Sequence, residues 1–135
     1  MERLLIPAKI DYLDEVTGFV ERYLDESGCP EKTKLQIRLA MEEVFVNIVS
    51  YAYAPEDGEA EVRFETLNEP FSIRIQFMDS GKQFDPLAKE DSDTSEEAIL
   101  SRPGGMGILL VKTVMDDVQY SYSGGKNILT LYKKL

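Results

Sequence analysis

The sequence predicts an α/β fold in which a mostly antiparallel sheet carries its helices on one face. Two long stretches in the first half place apolar residues at helical spacing. Residues 71–78 (FSIRIQFM) alternate apolar and polar side chains, as a strand with one buried face does. The dipeptide Gly124-Gly125 separates two further strand-like runs and predicts a tight hairpin. Together these observations favour a two-layer sandwich.

The N-terminal half is predicted to contain one short strand and two helices. Residues 2–8 can form the strand, and residues 11–27 form a helix that ends at about Gly28, a residue suited to a helix C-terminus. The second helix is predicted to begin near Pro30, because proline is favoured in the first turn, and to continue to about Tyr53.

The C-terminal half is predicted to supply most of the sheet. Residues 60–67 and 71–78 form an antiparallel hairpin, whose second strand has one apolar face consisting of Phe71, Ile73, Ile75 and Phe77. The polar stretch from Asp79 to Gly107 contains only a short helical patch around SEEAILS. A third helix covers roughly residues 106–116, and the hairpin at Gly124-Gly125 closes the chain.

Composition and charge limit the possible functions. The 135 residues are 43% hydrophobic and 30% charged, which predicts one domain, 1–135, with a full hydrophobic core. The net charge of −10 argues against a nucleic-acid or anionic-membrane partner. No apolar run approaches the roughly 20 residues of a membrane span, and the N-terminus does not resemble a signal peptide. The single cysteine, Cys29, fits a cytoplasmic location, and the absence of histidine excludes histidine-based catalysis and phosphohistidine on this chain.

Three polar clusters are candidates for a functional site. Glu43 and Asn47 lie four residues apart in AMEEVFVNIVSYAY, so both project from one side of the second helix. Such a pair usually marks a solvated face, but the apolar residues around it leave little room for one. The other clusters are DSGKQFDP (79–86), after a strand, and RPGGMG (102–107), before a helix. Each is weak alone, since Asp-x-Gly is often a simple turn and glycine-rich loops are common.

Taken together, the chemistries of the clusters complement one another. A buried carboxylate at a strand end can accept the amino group of a purine, and a glycine two residues later leaves space for the base. Glycines that lead into a helix present backbone N–H groups to phosphates. An asparagine oxygen can complete the coordination of Mg²⁺, and a carboxylate one turn away can act on the nucleophile. The set predicts a purine-triphosphate site.

The order of the clusters resembles that of a known superfamily. E-x-x-x-N on a helix, D-x-G-x-x-F-D-P after a strand and G-x-G opening a helix are similar to the GHKL (Bergerat-fold, histidine-kinase-like) ATPases, over about Leu5 to Lys134. Within that superfamily the chain most resembles the stand-alone anti-sigma factor serine/threonine kinases of the RsbW type. Histidine kinases need a phosphoacceptor histidine, and gyrase- and chaperone-type relatives are far longer, so neither type fits this sequence.

The resemblance implies roles for individual residues. Glu43 corresponds to the catalytic base and Asn47 to the Mg²⁺ ligand, while Asp79 corresponds to the adenine-binding aspartate. The remaining nucleotide-binding residues that the resemblance implies are Gly81 beside the adenine, Gly104, Gly105 and Gly107 in the phosphate loop, Arg102 from a short ATP lid (85–105), and Thr130 on the last strand near the adenine.

The resemblance also implies an activity and partners. The chain would use ATP and Mg²⁺ to phosphorylate a serine or threonine of a STAS-type anti-anti-sigma protein, and would otherwise sequester a sigma factor, as a homodimer. An alternative is a non-catalytic module that binds ATP or ADP to shape a surface for a sigma factor or signalling partner. A plain α/β domain without a ligand is a third possibility. The presence of Glu43 favours the kinase, because a binding module needs no base.

Overall fold

The computed structural model describes residues 1–53, 56–68, 71–87 and 105–135, with only the backbone given for 105–107. Within these ranges five strands form one sheet in the order β1-β2-β3-β5-β4, and every neighbouring pair is antiparallel. The predicted α/β fold class is therefore confirmed. The elements are β1 (Glu2–Pro7), α1 (Leu13–Glu26), α2 (Glu31–Asn47), β2 (Glu59–Leu67), β3 (Ser72–Asp79), α3 (Gly105–Val114), β4 (Asp117–Ser123) and β5 (Lys126–Lys134).

The core lies between the helices and one face of the sheet. Alternate residues of the central strands point toward the helices because side chains along a strand alternate between its two faces. Apolar residues of the two layers that meet there include Val20, Leu24, Ile37, Phe45, Val62, Ile75, Phe77 and Leu131. The prediction for Phe71 was wrong: it precedes β3 and is 42% exposed.

The end of α2 departs from regular α-helix geometry. The predicted helix does continue beyond Asn47, but residues Ile48–Ala52 form a single π-helical turn. The carbonyl oxygen of Ala52 accepts a hydrogen bond from the backbone N–H of Lys82 at 2.8 Å. This bond holds the loop that follows β3 against the C-terminal end of α2, and π-turns are frequent at functional sites.

The remaining predictions about elements have mixed outcomes. The third helix is confirmed as α3, and the hairpin of β4 and β5 turns at Gly124 and Gly125, both with positive φ. The SEEAILS helical patch and nearly all of the predicted lid lie outside the described residues. No helix in the described part of the chain is long and apolar enough to cross a membrane.

Candidate functional site

A cavity opens where the C-terminal end of α2, the end of β3, the N-terminal half of α3 and the hairpin of β4 and β5 meet. The empty space between its walls is about 500 Å³, which includes the part open to solvent. Most of its wall is apolar or aromatic. Its polar lining residues are Asn47, Asp79, Lys82, Tyr120 and Asn127.

Asp79 is the acidic group of this cavity. It is the last residue of β3 and is only 7% exposed. Its Oδ1 accepts hydrogen bonds from the backbone N–H of Gly81 at 3.0 Å and from Nδ2 of Asn127 at 2.9 Å. No donor among the described residues contacts its Oδ2. Because buried polar atoms are nearly always paired, this oxygen is the natural acceptor for a ligand.

Gly81 is required for a different reason from the one that the sequence predicted. A Cβ at this position would lie 2.3 Å from the carbonyl oxygen and 2.6 Å from the carbonyl carbon of Ala52. The glycine therefore permits close contact between the loop after β3 and the π-turn. Beside the Cα of Gly81 lies the carbonyl group of Ala52, where the sequence analysis predicted space for a base.

Asn127, which the sequence analysis missed, joins Asp79 to the following loop. It is 6% exposed and donates from Nδ2 to Asp79 Oδ1 and to the carbonyl oxygen of Lys82, both at 2.9 Å. Its Oδ1 accepts from the backbone N–H of Phe84 at 3.1 Å and from the hydroxyl of Tyr120 at 2.5 Å. Burial and the nearby carboxylate of Asp85 raise the pKa of Tyr120, so its hydroxyl keeps the proton that it donates.

Aromatic residues form part of the cavity wall. The rings of Tyr51 and Phe84 lie with their centroids 5.9 Å apart, and both line the cavity. Tyr120 and Phe77 add two further rings to the lining. Flat apolar surfaces beside an acidic hydrogen-bond acceptor suit a heteroaromatic base.

The two polar residues of α2 differ in position. Asn47 lines the cavity, whereas Glu43 lies one turn earlier, half-buried, and is not among the lining residues. Within residues 1–53, 56–68, 71–87 and 105–135, the side chain of Glu43 has no ion pair or hydrogen bond. The adjacent Glu42, by contrast, pairs with Arg38 at 3.3 Å. The carboxylate of Glu43 therefore has no hydrogen-bond or ion-pair partner among the described residues, and it lies one helical turn from Asn47, which lines the cavity.

The donor set fits Mg²⁺ only in a nucleotide complex. The described residues contain no group of three or more His, Cys, Asp and Glu side chains that could hold a metal. Mg²⁺ commonly binds through one or two protein oxygens together with the phosphates of a nucleotide. The amide oxygen of Asn47 is in a position to be such a ligand, because the residue lines the cavity.

The glycine cluster is described only in part. Gly105 begins α3, Gly107 is its third residue, and Ile108 in the same helix lines the cavity. The N-terminal half of α3 therefore borders the cavity, as a phosphate-binding role requires. Gly104 and Arg102 lie outside the described residues.

Thr130, predicted to lie near the adenine, is not among the residues that line the cavity. It is paired with Gln76 in the sheet register, and its hydroxyl accepts a hydrogen bond from Nε2 of Gln76 at 3.2 Å, on the sheet face opposite the helices. The inward positions on either side of it are taken by Leu129 and Leu131. The structure brings Asn127, not Thr130, to Asp79.

Comparison with known proteins agrees with this geometry. Residues 6–133 match the model of the histidine kinase-like ATPase domain. The chain is 28% identical to the serine-protein kinase RsbW of Listeria monocytogenes over 131 residues, covering 93% of this chain and 82% of the relative. It is 27% identical to the serine-protein kinase RsbW of Bacillus pumilus, covering 91% and 79% of the two chains.

Two solved structures share the fold. A crystal structure of the RsbU and RsbW domains of a Mycobacterium tuberculosis protein has a TM-score of 0.64 at 16% identity, and the match covers 100% of this chain but only 33% of that one. The SiaB–SiaC complex of Pseudomonas aeruginosa has a TM-score of 0.58 at 12% identity, covering 100% and 90%. With the family model matched over nearly its whole length, the chain belongs to the histidine kinase-like ATPase domain family.

Proposed function

We propose that this protein is an ATP-dependent serine/threonine protein kinase that acts as an anti-sigma factor. The observation that carries the nucleotide part is the buried carboxylate of Asp79, which lines an aromatic cavity and has one oxygen without a donor in the described part of the chain. The exocyclic amino group of adenine supplies the missing donor. The kinase part is supported by the RsbW relatives and by the carboxylate of Glu43, which has no side-chain partner among the residues that the structure describes.

In this proposal each element has one task. The cavity walls hold the base, and the backbone N–H groups at the start of α3, from Gly105 and Gly107, with Gly104 and Arg102 before them, bind the phosphates. Asn47 would hold Mg²⁺ together with the nucleotide, and the ion would supply positive charge that offsets the charge of the phosphates. Glu43 accepts the proton of a serine or threonine hydroxyl while the oxygen of that hydroxyl bonds to the γ-phosphorus. The bond from the γ-phosphorus to the bridging oxygen breaks, and ADP leaves with that oxygen.

The relatives named as serine-protein kinases support a protein substrate. We propose that residues 1–135 form a single kinase domain in the cytoplasm and act as a homodimer. The proposed substrate is a STAS-type anti-anti-sigma protein, and the proposed alternative partner is a sigma factor. The net charge of −10 disfavours direct binding to nucleic acid or to an anionic membrane.

A second candidate is a non-catalytic module that binds ATP or ADP and sequesters its partner. One observation favours it: Glu43 is not among the residues that line the cavity. In a binding module this side chain would have no reacting group to act on. The two candidates share the nucleotide site and differ only in the role of Glu43.

A transfer assay separates the two candidates. The protein is incubated with ATP labelled on the γ-phosphate, Mg²⁺ and the STAS protein encoded nearest to it, and the label on the STAS protein is followed over time. Glu43→Ala should slow the transfer by roughly 10²–10⁴, the usual contribution of a positioned general base, with nearly unchanged ATP affinity. Glu42→Ala is the matched control, because it removes the neighbouring carboxylate and its pair with Arg38 at the surface.

The outcomes are distinct. Transfer at the wild-type rate by Glu43→Ala would refute the base assignment. If the wild-type protein labels no STAS protein but binds a sigma factor in the presence of ATP, the binding module is correct.

A further inference from the structure

The buried side-chain amide of Asn127 lines the cavity but has no role in the function proposed above. We propose that Asn127 is a positioning residue that sets the preference of the site for adenine over guanine by fixing the carboxylate of Asp79. This inference rests on the proposed nucleotide site. It assigns a role in base recognition to a residue of β5 that lies outside the three sequence motifs.

The orientation of the Asn127 amide follows from its surroundings. On one side are two acceptors, the carboxylate of Asp79 and the carbonyl oxygen of Lys82, each 2.9 Å from Nδ2. On the other side are two donors, the backbone N–H of Phe84 and the hydroxyl of Tyr120. A flipped amide would face oxygen with oxygen at Asp79 and Lys82 and donor with donor at the backbone N–H of Phe84, although the Tyr120 hydroxyl could accept as well as donate. Only one orientation is therefore compatible with the site.

This network uses the whole hydrogen-bonding capacity of the side chain. A carboxamide has two N–H donors and an oxygen with two lone pairs, and each of the four has a partner. Asn127 therefore has nothing left to offer a nucleotide directly. Its influence on a ligand passes through Asp79 and through the loop that contains Lys82 and Phe84.

As a consequence, the two carboxylate oxygens of Asp79 have different roles. Its Oδ1 is held by Asn127 and by the backbone N–H of Gly81. Two donors on one oxygen hold the carboxylate plane in place and leave Oδ2 as an acceptor. A fixed acceptor pairs with the 6-amino group of adenine and repels the 6-oxo group of guanine. A carboxylate that could rotate or exchange partners would discriminate less.

Substitutions at Asn127 test the inference through selectivity. Asn127→Leu has a similar size but lacks all four hydrogen bonds, and Asn127→Ser keeps a single hydroxyl that can donate to Asp79. The dissociation constants for MgATP and MgGTP are measured by calorimetry, and thermal unfolding is recorded without nucleotide. Asn127→Leu should reduce the ratio of GTP to ATP dissociation constants at least tenfold, and Asn127→Ser should reduce it less.

Two further variants keep the test independent of folding. Leu131→Ala opens a cavity two inward positions further along β5, where the side chain is fully buried and belongs to the apolar core. It should lower the melting temperature while the selectivity ratio stays at the wild-type value. Tyr120→Phe removes only the hydroxyl donor to Asn127, so it should fold and reduce the ratio by a smaller factor than Asn127→Leu.

The results distinguish the inference from the proposed function. If the wild-type protein binds ATP selectively and the Asn127 and Tyr120 variants keep the full ratio, the positioning role is refuted and the adenine site stands. If Leu131→Ala loses selectivity as Asn127→Leu does, the effect is one of stability and the inference is again refuted. If the wild-type protein binds neither nucleotide, the proposed function itself fails.

Discussion

The two ends of the cavity are built in opposite ways. At the strand end, Asp79 and Asn127 are both less than a tenth exposed and are joined by a closed set of hydrogen bonds. At the helix end, Asn47 and Glu43 are half-buried, and neither side chain makes a hydrogen bond or ion pair to another residue that the structure describes. At the strand end, the polar side-chain atoms of Asp79 and Asn127 all have hydrogen-bond partners except Oδ2 of Asp79. At the helix end, the polar side-chain atoms have no such partners among the described residues.

The difference indicates how the two ends would work. A saturated network holds an acceptor in place before a ligand arrives, so recognition of the base needs little rearrangement. The helix end has groups whose natural partners are the phosphates, the metal and the substrate hydroxyl. Base recognition and phosphoryl transfer should therefore be separable by mutation, and the following predictions test that separation.

The largest effect on stability is expected at the contact that joins the two ends. Gly81→Ala would place a Cβ 2.3 Å from the carbonyl oxygen of Ala52, and neither backbone segment can move without disturbing the other. We expect a loss of about 1–3 kcal/mol in the free energy of unfolding and weaker ATP binding, measured by denaturant titration and calorimetry. Gly18→Ala is the control: its Cβ would meet nothing within 4 Å, so this exposed helical position should gain about 0.5–1 kcal/mol. Wild-type stability of Gly81→Ala would contradict the close contact.

A smaller effect is expected at the helix end. Asn47→Ala should weaken ATP binding in the presence of Mg²⁺ about tenfold, or ~1.4 kcal/mol, because the metal loses one protein oxygen. Binding of adenosine should not change, since adenosine has no phosphates to hold the metal. Calorimetry with both ligands, with and without Mg²⁺, measures the difference. An equal loss for adenosine and for MgATP would mean that the two ends are not separate.

The smallest effect concerns the hydroxyl of Tyr53, which bridges the start of β2 and the loop after β3. It donates to the carbonyl oxygen of Glu59 and accepts from the backbone N–H of Ser80, both at 2.7 Å. Burial raises the pKa of Tyr53 in the folded state, so the folded state favours the protonated form. Its contribution to stability is therefore complete below the unfolded pKa of about 10 and is lost as the pH rises through the folded pKa.

The test is the dependence of stability on alkaline pH. As the pH rises above about 10, the wild-type protein should lose more stability than Tyr53→Phe, which cannot ionise at this position. Denaturant unfolding at several pH values measures both curves. Parallel curves would show that the bridge contributes nothing to the pH dependence.

The sequence predicted the elements well and the site only in part, for a physical reason. Apolar periodicity located the strands and helices, but the face on which a strand residue lies depends on register, and a shift of one residue reverses it. Thr130 is on the outer face and Asn127 on the inner face, although both lie in the same short strand. Asn127 begins the run NILTLYKK, which the sequence predicts as the closing strand, and no motif marks it as part of the site.

The role of Gly81 could not be predicted for a related reason. Its packing depends on the π-turn Ile48–Ala52, which brings the carbonyl of Ala52 toward the loop. Nothing in the residue pattern distinguishes this turn from the regular α-helix that was expected to continue to about Tyr53. Contacts between segments distant in sequence decide such details, and local periodicity does not contain them.

The most direct test of the central claim is the effect of nucleotides on thermal unfolding of the wild-type protein and of Asp79→Asn. At 100 times the dissociation constant, MgATP should stabilise the wild-type protein by about 2.7 kcal/mol, a melting shift on the order of 10 °C. MgGTP at the same concentration should give a much smaller shift, and Asp79→Asn should lose most of the response to ATP. Equal shifts with ATP and GTP, or an unchanged ATP response in Asp79→Asn, would contradict the claim that Asp79 reads an adenine base.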